Sequence, residues 1–348
     1  MNLEDYFKDK KILVCGGTGT IGSEIVAQLL KYNPKAIRIL SNSEIELWES
    51  KQKFHNNEEN LRFLLGDIRN YERVKRAAKD VDIIFNAAAV KHVPIGEYNP
   101  MEAINVNIHG LENIIEAAFE NNVEKLINIS TDKAVNPTTV MGATKMLGER
   151  LCISRELAKG TNSTIISCVR FGNVLGSRGS IIPLIINQIE NQGYVTITDE
   201  KMKRFFMSIS QAVNLVLQAS VIAKGAEIFV LKMPVVYIKD LIEVIIEEYC
   251  NKIKKDSKSI EIKNIGARFS EKLDEELISS EEFSSCYELE NLYIIYPLSF
   301  VKISYSFDIS SLKGSKVIVD DNFLYNTIDS EPVNKEEFRR LILDLNLF

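Results

Sequence analysis

The chain has 348 residues, of which 45% are hydrophobic and 26% charged, and its formal net charge is −6. These values are typical of a globular protein with one large α/β domain or two smaller ones, and the negative charge argues against a nucleic-acid partner. No run of about 18 apolar residues predicts a membrane span. The charged N-terminus does not resemble a secretory signal, so we expect a cytoplasmic protein.

The five cysteines are scattered along the sequence. No CxxC pair or Cys/His cluster is present, and the chain has only three histidines. This distribution favours a reducing compartment and predicts no metal site.

Apolar strands alternate with amphipathic helices over the first 175 residues. Helices are predicted from Glu44 to about Phe54, over 100–122 as one long helix, and over 142–159. Strands rich in Ile, Val and Leu that alternate with helices indicate a parallel sheet buried on both faces, so we predict a doubly wound, Rossmann-like α/β fold. The strands are predicted in KKILVC, KAIRILSN, NLRFLLGDI, VDIIFNAAA, VEKLINIST and STIISCVRFG.

The alternation loosens after residue 175. We predict a dinucleotide-binding domain over 1–175 and a smaller, mainly substrate-binding lobe over 176–348, with some segments of the lobe returning to the sheet. Residues from about 256 onward give weak and mixed signals.

A glycine-rich turn follows the first strand and opens the first long helix. Its glycines are Gly16, Gly19 and Gly22, and Thr18, Thr20 and Ile21 lie in the same turn. Such glycines let the backbone approach a pyrophosphate at the positive end of the helix. The turn therefore predicts a dinucleotide site, with an ordinary strand-to-helix turn as the alternative.

The end of the second strand should select the cofactor. It carries Ser41, Asn42 and Ser43 and no acidic residue. An acid at this point would hold the adenosine ribose and favour NAD, whereas small donors suit a 2′-phosphate. We therefore predict NADP, with NAD as the alternative if Glu44 binds the ribose.

Further motifs resemble the extended short-chain dehydrogenase/reductase superfamily. They are Asp67 and Ile68 after the third strand, and Ala87 and Ala88 after the fourth. The resemblance implies that Asp67 holds the adenine edge and that the alanines pass beside the cofactor. It also matches Lys145 in MGATK to the lysine that holds the nicotinamide ribose and lowers the pKa of a tyrosine. Met141 stands where that tyrosine is expected.

An adjacent acid and amine follow the fifth strand. Asp132 and Lys133, next to Thr131, suit the elimination of water from a sugar, because the acid can protonate a leaving hydroxyl while a neutral lysine removes a proton beside a carbonyl. For this the pKa of Lys133 must fall well below about 10. The alternative is a surface ion pair that caps a loop.

Several longer segments resemble the nucleotide-sugar 4,6-dehydratases of the polysaccharide-biosynthesis family. They are AAAVKHVP, STDKAVNPTTVMGATK, VRFGNVLGSRGSIIPL and KRFFMSISQAVNLVLQA, and the resemblance runs from about residue 9 to 245. It implies a UDP-N-acetylglucosamine substrate, C4 oxidation, loss of water across C5–C6 and hydride return to C6 from a cofactor that stays bound. The product would be UDP-4-keto-6-deoxy-N-acetylhexosamine, with retention at C5 favoured.

The same resemblance places Met141 in a branch that lacks the tyrosine. A thioether cannot accept a proton from the C4 hydroxyl. The acceptor could be Asp132, a bound water or Thr131 relaying to a neighbour, while Met141 can only pack against the ligands.

The resemblance also implies a set of substrate-binding residues for the UDP-sugar. The candidates are Lys91, Asn173, Arg178, Arg204, Arg268 and Glu271.

Two other functions remain as alternatives. A UDP-sugar 4-epimerase is the nearest alternative, although it would need the tyrosine, and a non-catalytic NADP-binding sensor is a second. A homodimer that pairs through the long helices is expected.

Overall fold

The structure, a computed structural model, describes residues 2–267, 271–296, 316–317 and 325–345. The prediction for Arg268 lies outside the described residues. The strands are β1 (Lys11–Cys15), β2 (Ala36–Ser41), β3 (Leu61–Leu65), β4 (Ile83–Asn86), β5 (Lys125–Ile129), β6 (Ile165–Arg170), β7 (Asn173–Leu175), β8 (Tyr194–Ile197), β9 (Lys203–Ser208), β10 (Ile228–Leu231), β11 (Val235–Tyr237), β12 (Glu261–Asn264), β13 (Glu276–Ile278), β14 (Cys286–Glu288), β15 (Leu292–Ile295), β16 (Lys316–Val317) and β17 (Tyr325–Asn326).

Helices pack against the sheet and also form much of a second hydrophobic core. They are α1 (Leu3–Phe7), α2 (Thr20–Leu29), α3 (Glu44–Lys53), α4 (Tyr71–Ala78), α5 (Val93–Tyr98), α6 (Pro100–Ile104), α7 (Gly110–Glu120), α8 (Val140–Ala158), α9 (Ile181–Asn191), α10 (Ile209–Ile222), α11 (Ile238–Ile253), α12 (Ser280–Phe283) and α13 (Lys335–Asp344).

Ten strands of the described chain form one sheet, in the order β16-β14-β15-β10-β6-β5-β4-β1-β2-β3. Seven neighbouring strands pair in parallel, in the order β10-β6-β5-β4-β1-β2-β3. Beyond β10 the sheet continues with β15, β14 and β16, each antiparallel to its neighbour. Strands β4 and β5 are buried at every position, as expected for a sheet covered on both faces. The predicted doubly wound α/β fold is confirmed.

The single long helix predicted over 100–122 is wrong in detail. A π-helical segment, Asn105–His109, separates α6 from α7. The Asn107 side chain is buried there. Its Oδ1 accepts from the Val90 amide at 2.8 Å, and its Nδ2 donates to the Val90 carbonyl at 3.1 Å and to Thr144 Oγ1 at 2.9 Å. The inserted residue turns this polar side chain inward, which a hydrophobic pattern cannot reveal.

A second hydrophobic core lies outside the sheet. It contains residues between Leu175 and Ile342 and is formed mainly by α9, α11 and α13 with β8, β9 and β11. The segments that follow β1, β2, β4 and β5 all leave the same end of the parallel sheet, where a doubly wound fold places its ligands. No helix in the described ranges is long and apolar enough to cross a membrane.

Candidate active site

The glycine turn between β1 and α2 is shaped by close backbone contacts. Gly16 has φ of +70°, and a Cβ there would lie 2.7 Å from the backbone of Ala88. A Cβ on Gly22 would overlap the Gly16 carbonyl, whereas one on Gly19 would meet only that carbonyl oxygen, at 3.3 Å. Gly19 is the N-cap of α2 and no side chain caps the helix. The space before the helix therefore fits a pyrophosphate, as a dinucleotide requires.

Hydroxyl groups tie this turn to the end of β2. Thr18 Oγ1 lies 2.9 Å from Ser41 Oγ and 2.7 Å from Glu46 Oε2. Ser43 caps α3 by accepting from the Glu46 amide at 3.3 Å. Sequence reasoning missed Glu46, because an acid in the first turn of a helix is an ordinary feature and gives no signal that it folds back onto a glycine turn.

Arg178 lies on the cofactor side of the site and not in the substrate cleft. Its guanidinium donates to Glu46 Oε1 at 2.8 Å and to the Thr18 carbonyl at 2.7 Å, and its amide donates to Thr20 Oγ1 at 3.1 Å. The Lys91 ammonium donates to the Arg178 carbonyl at 2.8 Å. Burial, together with the Arg178 charge, lowers the pKa of Lys91. The loop containing Arg178 thus covers the glycine turn.

The predicted adenine edge carries an ion pair. Arg69 donates to both oxygens of Asp67, at 3.0 and 2.8 Å, and its hydrogen bonds lower the pKa of Asp67. A side-chain hydrogen bond from Asn42 acts in the same direction, so the ends of β2 and β3 meet here. Ile68 is buried and faces Gly110.

The segment after β5 builds a buried acid–base cluster. Asp132 is completely buried. Its Oδ1 accepts from Thr131 Oγ1 at 2.6 Å, from the Lys133 amide at 2.9 Å and from Lys133 Nζ at 3.0 Å, while Oδ2 has no hydrogen-bond partner in the described part of the chain. Such burial argues against a surface ion pair that merely caps a loop.

A second carboxylate faces Lys133 from the other side. Glu275 Oε1 lies 3.6 Å from Lys133 Nζ and 3.7 Å from Arg204 Nε. Burial acts to lower the pKa of Lys133, but the charges of Asp132 and Glu275 outweigh it and raise that pKa. The predicted chemistry needs a pKa of Lys133 well below its ordinary value, whereas the charges of these two carboxylates act in the opposite direction. Sequence reasoning missed Glu275, which lies among the weak signals after residue 256.

Lys145 and Met141 lie in the first turns of α8. The Lys145 ammonium donates to the Ile129 carbonyl at 2.9 Å, at the end of β5, and burial lowers its pKa to about 8. Met141 is buried and lies next to Gly96 of α5, because a Cβ added to Gly96 would have atoms of Met141 as its nearest neighbours. Lys145 therefore adjoins the end of β5, the strand that precedes Thr131.

A cleft of about 770 Å³ opens above this cluster. Arg204 does not point freely into it, because its guanidinium donates to the carbonyls of Leu273 at 2.7 Å and Lys272 at 2.6 Å and so anchors that segment. Within the described ranges no group of His, Cys, Asp and Glu side chains could hold a metal. The cleft is lined by Val93, Pro94, Glu97, Tyr98, Lys133, Thr138, Thr139, Asn173, Arg204, Glu271, Lys272 and Glu275.

Residues 12–297 match the family described as polysaccharide biosynthesis protein. The chain belongs to this family. A relative from Methanocaldococcus jannaschii, named as an uncharacterized membrane protein, is 50% identical over 99% of this chain and 98% of its own. A Campylobacter jejuni UDP-N-acetylglucosamine 4,6-dehydratase (inverting) is 41% identical over 94% of this chain and 95% of its own.

Members with another activity are also similar. A Rickettsia canadensis protein named UDP-glucose 4-epimerase is 38% identical over 98% of this chain and 97% of its own. The X-ray structure of Pen from Bacillus thuringiensis superposes with a TM-score of 0.89 at 41% identity and covers 99% of both chains. The resemblance found in the sequence motifs is therefore confirmed at the level of the family, which has the extended short-chain dehydrogenase/reductase fold.

Proposed function

We propose that this family member is a UDP-N-acetylglucosamine 4,6-dehydratase with a tightly held, recycled NADP. The observation that carries the proposal is the Thr131–Asp132–Lys133 cluster at the base of the cleft, in which Asp132 is completely buried, together with a methionine at position 141 that cannot act as an acid or base. The Campylobacter jejuni relative named as this dehydratase supports it. The cleft volume is in the range of small-molecule sites.

A bound nicotinamide cofactor supplies the acceptor and later the donor of the hydride. The short contact between Thr131 Oγ1 and Asp132 Oδ1 suits a relay in which Thr131 takes the C4 hydroxyl proton as it passes its own proton to Asp132. Asp132 then protonates the C6 hydroxyl as it leaves, while Lys133 takes the C5 proton. The proton of the C4 hydroxyl therefore departs in the released water, and Asp132 is again ionised at the end of each cycle.

The 4-epimerase alternative draws support from the Rickettsia name. An epimerase returns hydride to C4 and needs an acid–base group there, but it needs no second pair for elimination. Met141 and the buried Asp132–Lys133 pair therefore favour dehydration. A non-catalytic sensor would have no use for a completely buried acid beside the amine of Lys133.

The choice of NADP is supported by the donors near the glycine turn. Ser41, Ser43 and the Arg178 guanidinium could donate hydrogen bonds to a 2′-phosphate bound there. Glu46 lies beside the same groups, and its carboxylate would instead favour a ribose hydroxyl. Titration of the purified protein with NADP⁺ and with NAD⁺ distinguishes the two.

The remaining site assignments are also part of the proposal. Asn173 and Glu271 line the cleft and are assigned to the UDP-sugar, whereas Lys91 is placed where the cleft meets the cofactor loop. Retention at C5, a homodimer and a cytoplasmic location stay predictions from the sequence. The word inverting in the name of the Campylobacter jejuni relative makes C5 the stereocentre to examine.

The deciding experiment is mass spectrometry of UDP-N-acetylglucosamine incubated with the protein and NADP⁺ or NAD⁺. A product lighter by one water supports the proposal, and NMR of the product formed in D₂O reports the configuration at C5. Asp132→Asn should lower kcat by about 10²- to 10⁴-fold, because it removes the acid for the leaving hydroxyl. A C4 epimer of unchanged mass would instead establish the epimerase.

A further inference from the structure

Glu275 is a buried carboxylate that no part of the proposed reaction yet uses. It is 4% exposed, and its Oε2 has no hydrogen-bond partner among the residues that the structure describes. Its backbone is fixed on both sides, because its amide donates to Thr327 Oγ1 at 3.0 Å and its carbonyl accepts from the Thr327 amide at 2.9 Å. The carboxylate is therefore held at the wall of the cleft, 3.6 Å from Lys133 Nζ.

The charge state of Lys133 raises a problem for the elimination step. An ammonium has no lone pair and cannot take the C5 proton. The charges of Asp132 and Glu275, whose oxygens lie 3.0 and 3.6 Å from Lys133 Nζ, favour the ammonium, and Glu275 keeps its charge after Asp132 has been protonated. Asp132 cannot accept the surplus proton, because under the proposed function it already carries the proton destined for the C6 hydroxyl. Arg204 and Lys272, the other cationic groups that act on Glu275, are only donors.

We infer that Glu275 is a positioning residue that takes the ammonium proton of Lys133 before elimination and returns it afterwards, an inference that builds on the proposed dehydratase activity. The transfer converts the ammonium and carboxylate into an amine and a carboxylic acid. The amine then takes the C5 proton, the C5–H electron pair forms the C5–C6 double bond, and the C6 hydroxyl leaves as water with the proton of Asp132. After C6 has received its hydride, Lys133 protonates C5 and Glu275 returns its proton to Lys133.

Burial lowers the free-energy cost of converting the Lys133–Glu275 ion pair into its neutral form. Two charges withdrawn from water are costly, so a buried ion pair can lie close in free energy to its neutral form. Burial also raises the pKa of Glu275, although the charges of Lys133 and Arg204 oppose the rise. The unpartnered Oε2 leaves room for the added proton.

The test separates the two halves of the reaction in a single turnover of the cofactor-loaded enzyme. Absorbance of reduced cofactor reports C4 oxidation, and rapid-quench mass spectrometry reports loss of water. In Glu275→Gln we expect oxidation near the wild-type rate and elimination slowed by about 10²-fold or more, so that reduced cofactor accumulates. Glu281→Gln, an equal charge change at an exposed site on the same segment, should match the wild type in both steps.

Glu275→Asp provides the second variant. It keeps a carboxyl with a lower ordinary pKa, so it should slow elimination less than glutamine does and leave oxidation intact. Wild-type elimination in Glu275→Gln, or equal slowing of oxidation and elimination in either variant, would overturn the inference. A wild-type enzyme that forms no dehydrated product would instead overturn the proposed function itself, so the two failures are distinct.

Discussion

Met141 fills the position of an expected acid–base residue without being able to transfer a proton. It is buried in the first turn of α8, beside Gly96. We expect Met141→Leu to keep kcat within about 3-fold and to change the free energy of unfolding by less than about 1.5 kcal/mol, because the side-chain volume is conserved. Steady-state kinetics and denaturant unfolding check this, and a loss of activity comparable to that of Asp132→Asn would contradict a packing role.

Lys145 should couple cofactor binding to proton uptake. Its pKa is about 8 in the structure, because burial disfavours the ammonium. An anionic dinucleotide bound nearby stabilises the charged form, so binding above pH 8 should draw a proton from the buffer. Calorimetric titration with cofactor at about pH 8.5, in buffers that differ in ionisation enthalpy, measures the number of protons taken up.

Lys145→Met should abolish that proton uptake. Lys239→Met, which removes a lysine from an exposed pair with Glu200, should leave it unchanged and serves as the control. Uptake that persists without Lys145 would assign the proton to a different group.

At single residues, the sequence predicts chemistry better than it predicts charge state. Adjacent positions such as Thr131, Asp132 and Lys133 must lie together wherever their strand ends, so the motif alone could propose an acid–base cluster. Glu275, which acts together with Asp132 to raise the pKa of Lys133, is more than a hundred residues away, and only the folded chain brings the two side chains together. The contacts of Arg178 with Thr18 and Glu46 could not be read from the sequence for the same reason, because they join a distant loop to the glycine turn.

At the scale of the element, the glycine turn has two kinds of glycine. A Cβ on Gly22 would collide with the Gly16 carbonyl, whereas a Cβ on Gly19 would remain at 3.3 Å from the same oxygen, within the open space before α2. We expect Gly22→Ala to lower the melting temperature and Gly19→Ala to leave it nearly unchanged.

Both substitutions should weaken cofactor binding by about 10-fold or more, Gly22→Ala through misfolding of the turn and Gly19→Ala through direct obstruction of the pyrophosphate. Thermal unfolding without cofactor and fluorescence titration with reduced cofactor separate the two effects. Tight binding by Gly19→Ala would show that the pyrophosphate does not approach this residue.

The elements themselves were predictable where one strong pattern was sufficient. The parallel strands are continuous Ile, Val and Leu segments, so the first six were evident from the sequence. Strands β14 and β15 have only three and four residues. They are held in the sheet by antiparallel pairing, β15 with β10 and β14 with β15. Such short strands depend on their neighbours more than on their own residues, which is why the later part of the chain gave mixed signals.

At the scale of the whole molecule, Arg170 joins the sheet to the C-terminal segments. It is 1% exposed, and its guanidinium pairs with Glu149 of α8 at 2.6 Å and with Glu282 of α12 at 2.8 Å. Arg170→Met would leave two carboxylates buried without their cation. We expect a loss of about 3–5 kcal/mol in the free energy of unfolding, measured by denaturant titration.

The control for this prediction is again Lys239→Met. Its ion pair with Glu200 is exposed, so the loss should be at most about 1 kcal/mol. Equal losses in the two variants would show that the buried network does not hold the C-terminal segments to the sheet.

The pairing of Glu275 with Thr327 also orders events in time during biosynthesis. Glu276 of β13 pairs with Asn326 of β17, so the wall that carries Glu275 forms only after this late part of the chain has been made. The glycine turn and Lys145 lie within the first 150 residues and are synthesised well before it. Because domains fold from the N-terminus as the ribosome delivers them, the nascent protein gains its nucleotide pocket first and its full proton-transfer machinery last.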